Sequence, residues 1–293
     1  LIFTSFPTIS NKGFYNNYEF ILKNSNSDTK NSTSFKEGKD LYFSGLLQYN
    51  SSLPLIKNKD NLQRLIKPKI SLKFSPSHTK DLSSEDNRID VNNIFDLNRL
   101  SSNDTLEGGT SLTYGSDYTI SNIDNLREIF SLKLANNLRL DKNDDLQRNN
   151  QLGSKTSNFF GEITYSPINS LKAKYNLSTK NNLSDINYQN LTAEISINNF
   201  VTTFDYLNEN NSQNTSYLLN KTTYNFDNFN NISFSTRENK KTDLTEYYNL
   251  MYQYKNDCLA ASIEYNKEYY NDRDIKPEES IFFKLTIIPF DDF

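Results

Sequence analysis

The chain has no Trp, one Met, one His and one Cys among 293 residues. One Cys cannot close an internal disulfide, and one His with one Cys cannot furnish an ordinary structural zinc site. A catalytic triad built on His78 would need a rigid support for the base, and His78 sits in a polar loop with Ser77 and Asp81. There is no HExxH motif, nucleophile elbow or phosphate-cradling Gly loop, so no enzyme chemistry, metal or cofactor is expected. No stretch of about 18 apolar residues exists, which excludes a transmembrane helix. The net charge is −4, so no basic field points to nucleic acid. Only 8 Gly and 7 Pro occur, and they fall mostly between periodic segments.

What is present is aromatic and polar at once. There are 19 Tyr and 20 Phe, and mean hydropathy is −0.74. So low a mean suggests disorder, but disordered chains are poor in aromatics and lack sustained alternation. Here the alternation is clear. Ile70, Leu72 and Phe74 oppose Lys69, Ser71 and Lys73, while Phe130, Leu132, Leu134 and Leu138 oppose Ser131, Lys133 and Arg139, with Asn136 out of place. Leu171, Ala173, Tyr175 and Leu177 oppose Lys172, Lys174 and Asn176, and Leu191, Ala193, Ile195 and Ile197 oppose Thr192, Glu194 and Ser196. Near the end, Leu259, Ala261, Ile263 and Tyr265 oppose Ala260, Ser262, Glu264 and Asn266. The last strand sets Ile281, Phe283, Leu285 and Ile287 against Lys284 and Thr286, with Phe282 and Ile288 blurring its polar face. A period of two means strands with one apolar and one polar face.

Strands are expected near 1–10, 13–24, 39–52, 64–75, 106–120, 126–140, 157–166, 170–180, 188–197, 200–208, 216–226, 230–238, 243–254, 258–270 and 278–288. Few of them could bury both faces in a soluble core. A barrel resolves this, with half of each strand in lipid and half in water: the expected fold is an all-β, antiparallel transmembrane β-barrel of outer-membrane type. Short and long connections alternate, with a middling one at 53–63 in a short slot and a tight one at 239–242 in a long slot. Outer-membrane barrels put short turns in the periplasm, which places the turn at 255–257 and the C-terminus there. Fifteen strands is odd where bacterial barrels are even, and the chain opens at Leu1 without a signal peptide, so a fragment of a larger barrel is expected. Tyr247, Tyr248, Tyr252, Tyr254, Tyr269 and Tyr270 read as an interfacial girdle.

Several runs carry a resemblance. KPKISLKFSP, then a polar loop with NNIFDLNRL, then TLEGGTSLTYGSDYTI resemble the barrel of the lipopolysaccharide-assembly protein LptD family. FFGEITYSP and YNLMYQYKNDCLAASIEYNKEYYNDRDIKPEESIFFKLTI resemble that family's final strands. The resemblance covers most of the chain from about Leu46. It implies a non-enzymatic outer-membrane translocon that moves lipopolysaccharide from a periplasmic Lpt bridge to the outer leaflet. It also implies an LptE-like plug lipoprotein in the lumen, and a periplasmic domain and first barrel strands ahead of residues 1–293. A porin-like diffusion channel is the alternative, sharing the strands but needing neither Cys nor plug; a lipase or protease barrel lacks its nucleophile.

Three sets of site residues follow. Cys258 is either a small strand residue or, as the resemblance implies, the partner of a Cys in the N-terminal periplasmic region. Ile281, Phe282, Phe283, Lys284, Leu285, Thr286, Ile287 and Ile288 form one lip of a lateral gate, where the last strand meets the first and Pro289 removes a ladder donor. Lys67, Lys69, Lys73, Lys172 and Lys174 are either solvated lumen residues or contacts to the sugar-phosphate of the substrate. Asp86, Asp90 and Asp96 could hold a divalent cation, although scattered carboxylates are usually solvated.

Overall fold

The computed structural model describes residues 1–30, 38–85, 87–181, 183, 185–210, 214–269 and 278–287. It is all β: no helix occurs among the described residues. In chain order the strands are β1 (Ile2–Thr4), β2 (Thr8–Ile9), β3 (Tyr15–Thr29), β4 (Gly38–Ser52), β5 (Leu55–Lys59), β6 (Leu62–Ser75), β7 (Gly109–Asn122) and β8 (Glu128–Arg139). Then come β9 (Phe159–Ile168), β10 (Leu171–Thr179), β11 (Ile186–Ile197), β12 (Phe200–Glu209), β13 (Ser216–Asn225), β14 (Asn230–Asn239), β15 (Leu244–Lys255), β16 (Leu259–Glu268) and β17 (Glu279–Ile287). They form a 17-stranded sheet in which sequential neighbours pair antiparallel.

Two of the 17 segments continue a neighbour across a break. Pro7 splits the expected first strand, and β1 and β2 both pair with β3, at Thr4↔Glu19 and Thr8↔Asn16. At 53–63 the structure corrects the expected connection: β5 pairs with β6 and closes through a two-residue turn. Pro54 has no N–H to give the ladder, yet Leu53 N still donates to Pro68 O at 3.0 Å. Asp60 and Asn61 take φ of 53° and 59°, the left-handed pair that a tight hairpin with strand-matching twist needs. Polar turn chemistry beside a proline read as loop. With the two continuations merged, 15 strand courses remain among the described residues, the number expected from the sequence.

Contacts divide the chain into two units, Leu1–Ile163 with Asn176–Asn187, and Thr164–Tyr175 with Tyr188–Phe293. In the first, the faces are inverted relative to a soluble protein. On β6, Ser71, Lys73 and Ser75 are buried, while Ile70, Leu72 and Phe74 are exposed. Across the ladder Ser71 meets Thr113 and Asn50, both on the polar side, while Leu72 meets Leu112 and Tyr49 on the apolar side. Exposed apolar rows over buried polar ones are what a lipid solvent selects. Asn136, the misfit in the apolar row of β8, is buried, and its amide donates to the carbonyls of Ser157 and Asn158 at 3.3 and 3.1 Å.

The second unit shows the same two faces through its registers. Ala193↔Phe204, Phe234↔Leu250, Tyr252↔Ile263 and Ile263↔Phe283 make an apolar row, and Ser235↔Asn249, Gln253↔Ser262 and Ser262↔Lys284 make a polar one. Phe282 does fall on the polar face, opposite Glu264.

Candidate functional site on the polar face

Residues 76–108 join β6 to β7, and 140–158 join β8 to β9. Both fold onto the polar face of β6–β8. Leu82, Ile89, Val91, Ile94 and Leu100 of the first connection pack with Leu146 and Leu152 of the second, over Ala135 and Phe160 of the strands. Local turns shape the first connection. Asp90 Oδ1 accepts Asn92 N at 2.7 Å and Asn93 N at 3.3 Å, and Ile94 N returns to Asp90 O at 3.0 Å. The strands grip the backbone of the next turn: Gln48 Nε2 donates to Phe95 O at 2.7 Å, and Lys73 Nζ donates to the carbonyls of Asp96 and Leu97.

The deepest part is an ion network. Arg99 is fully buried. Its Nε and Nη2 both reach Glu107 at 2.6 Å, a bidentate pair. Its remaining donors go to Ile94 O, Thr113, Ser111 and Asn137. Arg139 on β8 donates to Glu107 and to Gly108 O. Burial opposes ionisation of Glu107, but Arg99, Lys73 and Arg139 outweigh it and lower the carboxyl from 4.5 to about 2. Gly108 closes this corner because a Cβ there would lie 2.1 Å from Ser77 O.

Comparison with known families decides the identity: the model of LPS transport system D (LptD) matches residues 22–237, about three quarters of the chain. The chain belongs to the LptD family. Its role is in lipopolysaccharide transport and assembly, and its place is the outer membrane, to which the two-faced strands are suited. No curated protein matches the chain at a significant level.

The LptD match ends before Cys258 and β17. Cys258 lies half-buried and free in the turn between β15 and β16, its N–H donated to Asn256 Oδ1 at 3.0 Å. Of the expected gate residues, Ile281–Ile287 pair with β16, and Ile288 and Pro289 lie outside the described residues. Of the five expected lysines, Lys67, Lys69 and Lys73 share the polar face of β6. Lys69 is tied to Asp117 at 2.9 Å and stands 4.4 Å over the Phe95 ring. Lys172 is exposed in the second unit, and Lys174 faces the same way on β10.

Other expectations fare unevenly. The His78 ring makes an exposed contact to Asp145 at 3.8 Å, and its backbone carbonyl accepts from the Tyr42 hydroxyl. Asp86 lies outside the described residues, and no acidic group able to hold a metal forms among the described ones. Tyr248 packs against Phe234 and Tyr269 on the apolar side, whereas Tyr247 pairs with Arg237 on the other face; Tyr270 is outside the described residues. The Arg99–Glu107–Arg139 network was missed. Its signal was there: Ile89, Val91, Ile94, Leu97 and Leu100 are too apolar for a connection left in water.

Proposed function

We propose that this chain is the translocon part of an outer-membrane lipopolysaccharide exporter: sugars pass along the polar face, and acyl chains leave sideways through a gate at β17. One observation carries the reading. The same strands present an apolar face to lipid and a polar face rich in Ser, Thr, Asn, Lys and Glu, the two solvents that the two halves of the substrate require. The polar face of β11–β16 is half-exposed along most of its length, which leaves room for an LptE-like lipoprotein plug. Within each unit the short connections share one end of the strands, those at 10–14, 60–61 and 123–127 in the first and those at 169–170, 198–199, 226–229 and 256–258 in the second. Being short, those ends suit the periplasm, where the Lpt bridge delivers substrate, and β17 runs toward such an end, with Ile287 opposite Leu259.

Photo-crosslinking tests the path. A photoreactive residue in place of Glu264, on the polar face, is expected to capture lipopolysaccharide only while new substrate is supplied. In place of Ile263, on the lipid face, it is expected to capture resident lipids regardless of supply. A porin-like channel would give no lipopolysaccharide adduct at Glu264.

The turn position of Cys258 supports a disulfide to a Cys outside these 293 residues, since the chain holds no second Cys. Non-reducing electrophoresis of full-length wild type and Cys258→Ser should then differ in mobility. Equal mobility, with Cys258 alkylated in the native protein, rules the bond out.

A further inference from the structure

A cavity of about 480 Å³ lies on the polar face between β1, β3, β4, β6 and the turn at 95–98. We propose that it is a saccharide site that recognises uncharged sugar rings of the substrate by their hydroxyls and their apolar faces. The inference rests on the lipopolysaccharide reading above and names the part of the substrate that is held.

The site is built in advance. Its roof is the backbone of Phe95, Asp96 and Leu97, whose three carbonyls are held by Gln48 and Lys73 from two different strands. The Phe95 ring is fixed by Lys69 on one side and comes close to Gly115, where an added Cβ would stand 3.1 Å from Phe95 Cζ. Ladder neighbours Tyr15, Ser52 and Lys69 set the floor. A preformed concavity avoids the ordering cost of binding.

The lining matches a sugar better than an anion or an acyl chain. Asn17 and Asn50 each bring a donor and an acceptor, Glu19 an acceptor and Lys67 a donor, beside the apolar faces of Tyr15 and Phe95. Hydroxyls both donate and accept, so they need that mixture. Charge is nearly balanced: Lys69 is neutralised by Asp117 at 2.9 Å, and Lys67 shares the cavity with Glu19 and Asp96. A phosphate site would gather cations without carboxylates.

The test is calorimetric titration of the full-length protein, with its partner lipoprotein, in detergent. The probes are the lipid-free core oligosaccharide of lipopolysaccharide, the same oligosaccharide stripped of phosphate, and dextran. Both core forms are expected to bind alike. Asn17→Leu and Asn50→Leu should each weaken binding about three- to tenfold, the loss of a hydrogen bond or two. Lys240→Gln, in the turn that follows β14 in the other unit, should bind as wild type. Binding of the phosphorylated form alone overturns the proposal, as does equal binding of dextran, unaltered binding by both Asn variants, or no binding at all. Lipopolysaccharide delivery to the cell surface is scored separately. Intact delivery that depends on this protein, with no oligosaccharide binding, overturns only this inference; delivery that does not depend on it overturns the functional reading.

Discussion

Arg99→Met in the full-length protein should release residues 76–108 from the polar face. Arg99 gives six hydrogen bonds and has no exposure, so removing it strips Glu107 of its bidentate partner inside the protein. Breaking a buried pair from one side costs about 3–5 kcal/mol, because the remaining charge stays buried. Arg139 still reaches Glu107, so the lower end of that range is expected. The readout is limited proteolysis with peptide mapping: cleavage within 76–108 should rise roughly a hundredfold, in keeping with about 3 kcal/mol of local opening. Replacing both partners, Arg99→Met with Glu107→Leu, should be milder than Arg99→Met alone, since no orphaned carboxylate remains. Equal or worse cleavage in the double variant would mean that shape, not charge, holds the segment.

Acid provides an independent handle on the same network. Glu107 sits at about 2 against an ordinary 4.5. A carboxyl depressed in the folded state stabilises that state above its unfolded value and loses the contribution as pH falls through the folded one. The wild-type segment should therefore loosen progressively between about pH 4.5 and pH 2. Glu107→Gln should already be loose at neutral pH and lack that step.

The strands were legible because lipid and water impose the pattern residue by residue. Leu72 and Phe74 against Ser71 and Lys73 can be read without any partner strand, and β6 forms where that alternation runs. The continuations were less legible. Pro54 breaks the alternation although the ladder survives it through Leu53 and Pro68, so β5 read as a connection. The inward packing of 76–108 was legible only in part. Its apolar residues have no single period, because they meet a second connection and two strands rather than one flat face. Which Arg meets which Glu depends on that packing, and no spacing rule joins Arg99, Glu107 and Arg139. The lysines separate for a similar reason. Alternation places Lys67, Lys69 and Lys73 on one face, but Asp117 and the carbonyls of 96–97 decide which amines stay available.

Locking β17 to the first strand of the full barrel should stop delivery of lipopolysaccharide. The substrate joins acyl chains that belong in lipid to sugars that belong in water. Passing the chains through a wet lumen would cost about 0.8 kcal/mol for each exposed CH₂, a prohibitive sum for several chains. A slit between two strands removes the cost, since the chains slide into lipid while the sugars stay on the polar face. A seam between the first and last strands is the natural slit, because that pairing alone is non-local in the chain. On the apolar side of β17, Ile281, Phe283, Leu285 and Ile287 are strongly exposed, as the proposed gate requires. Lys284 and Thr286 face the polar side, opposite Ser262 and Ala260 of β16. A cysteine at Lys284 or Thr286, paired with one on the facing first strand, is expected to cut surface lipopolysaccharide at least about tenfold when oxidised, with recovery on reduction. A control pair, Ser262→Cys with Lys284→Cys, joins strands already in register and should leave delivery intact. If the seam bond forms and delivery continues, the chains leave elsewhere and β17 is not the gate.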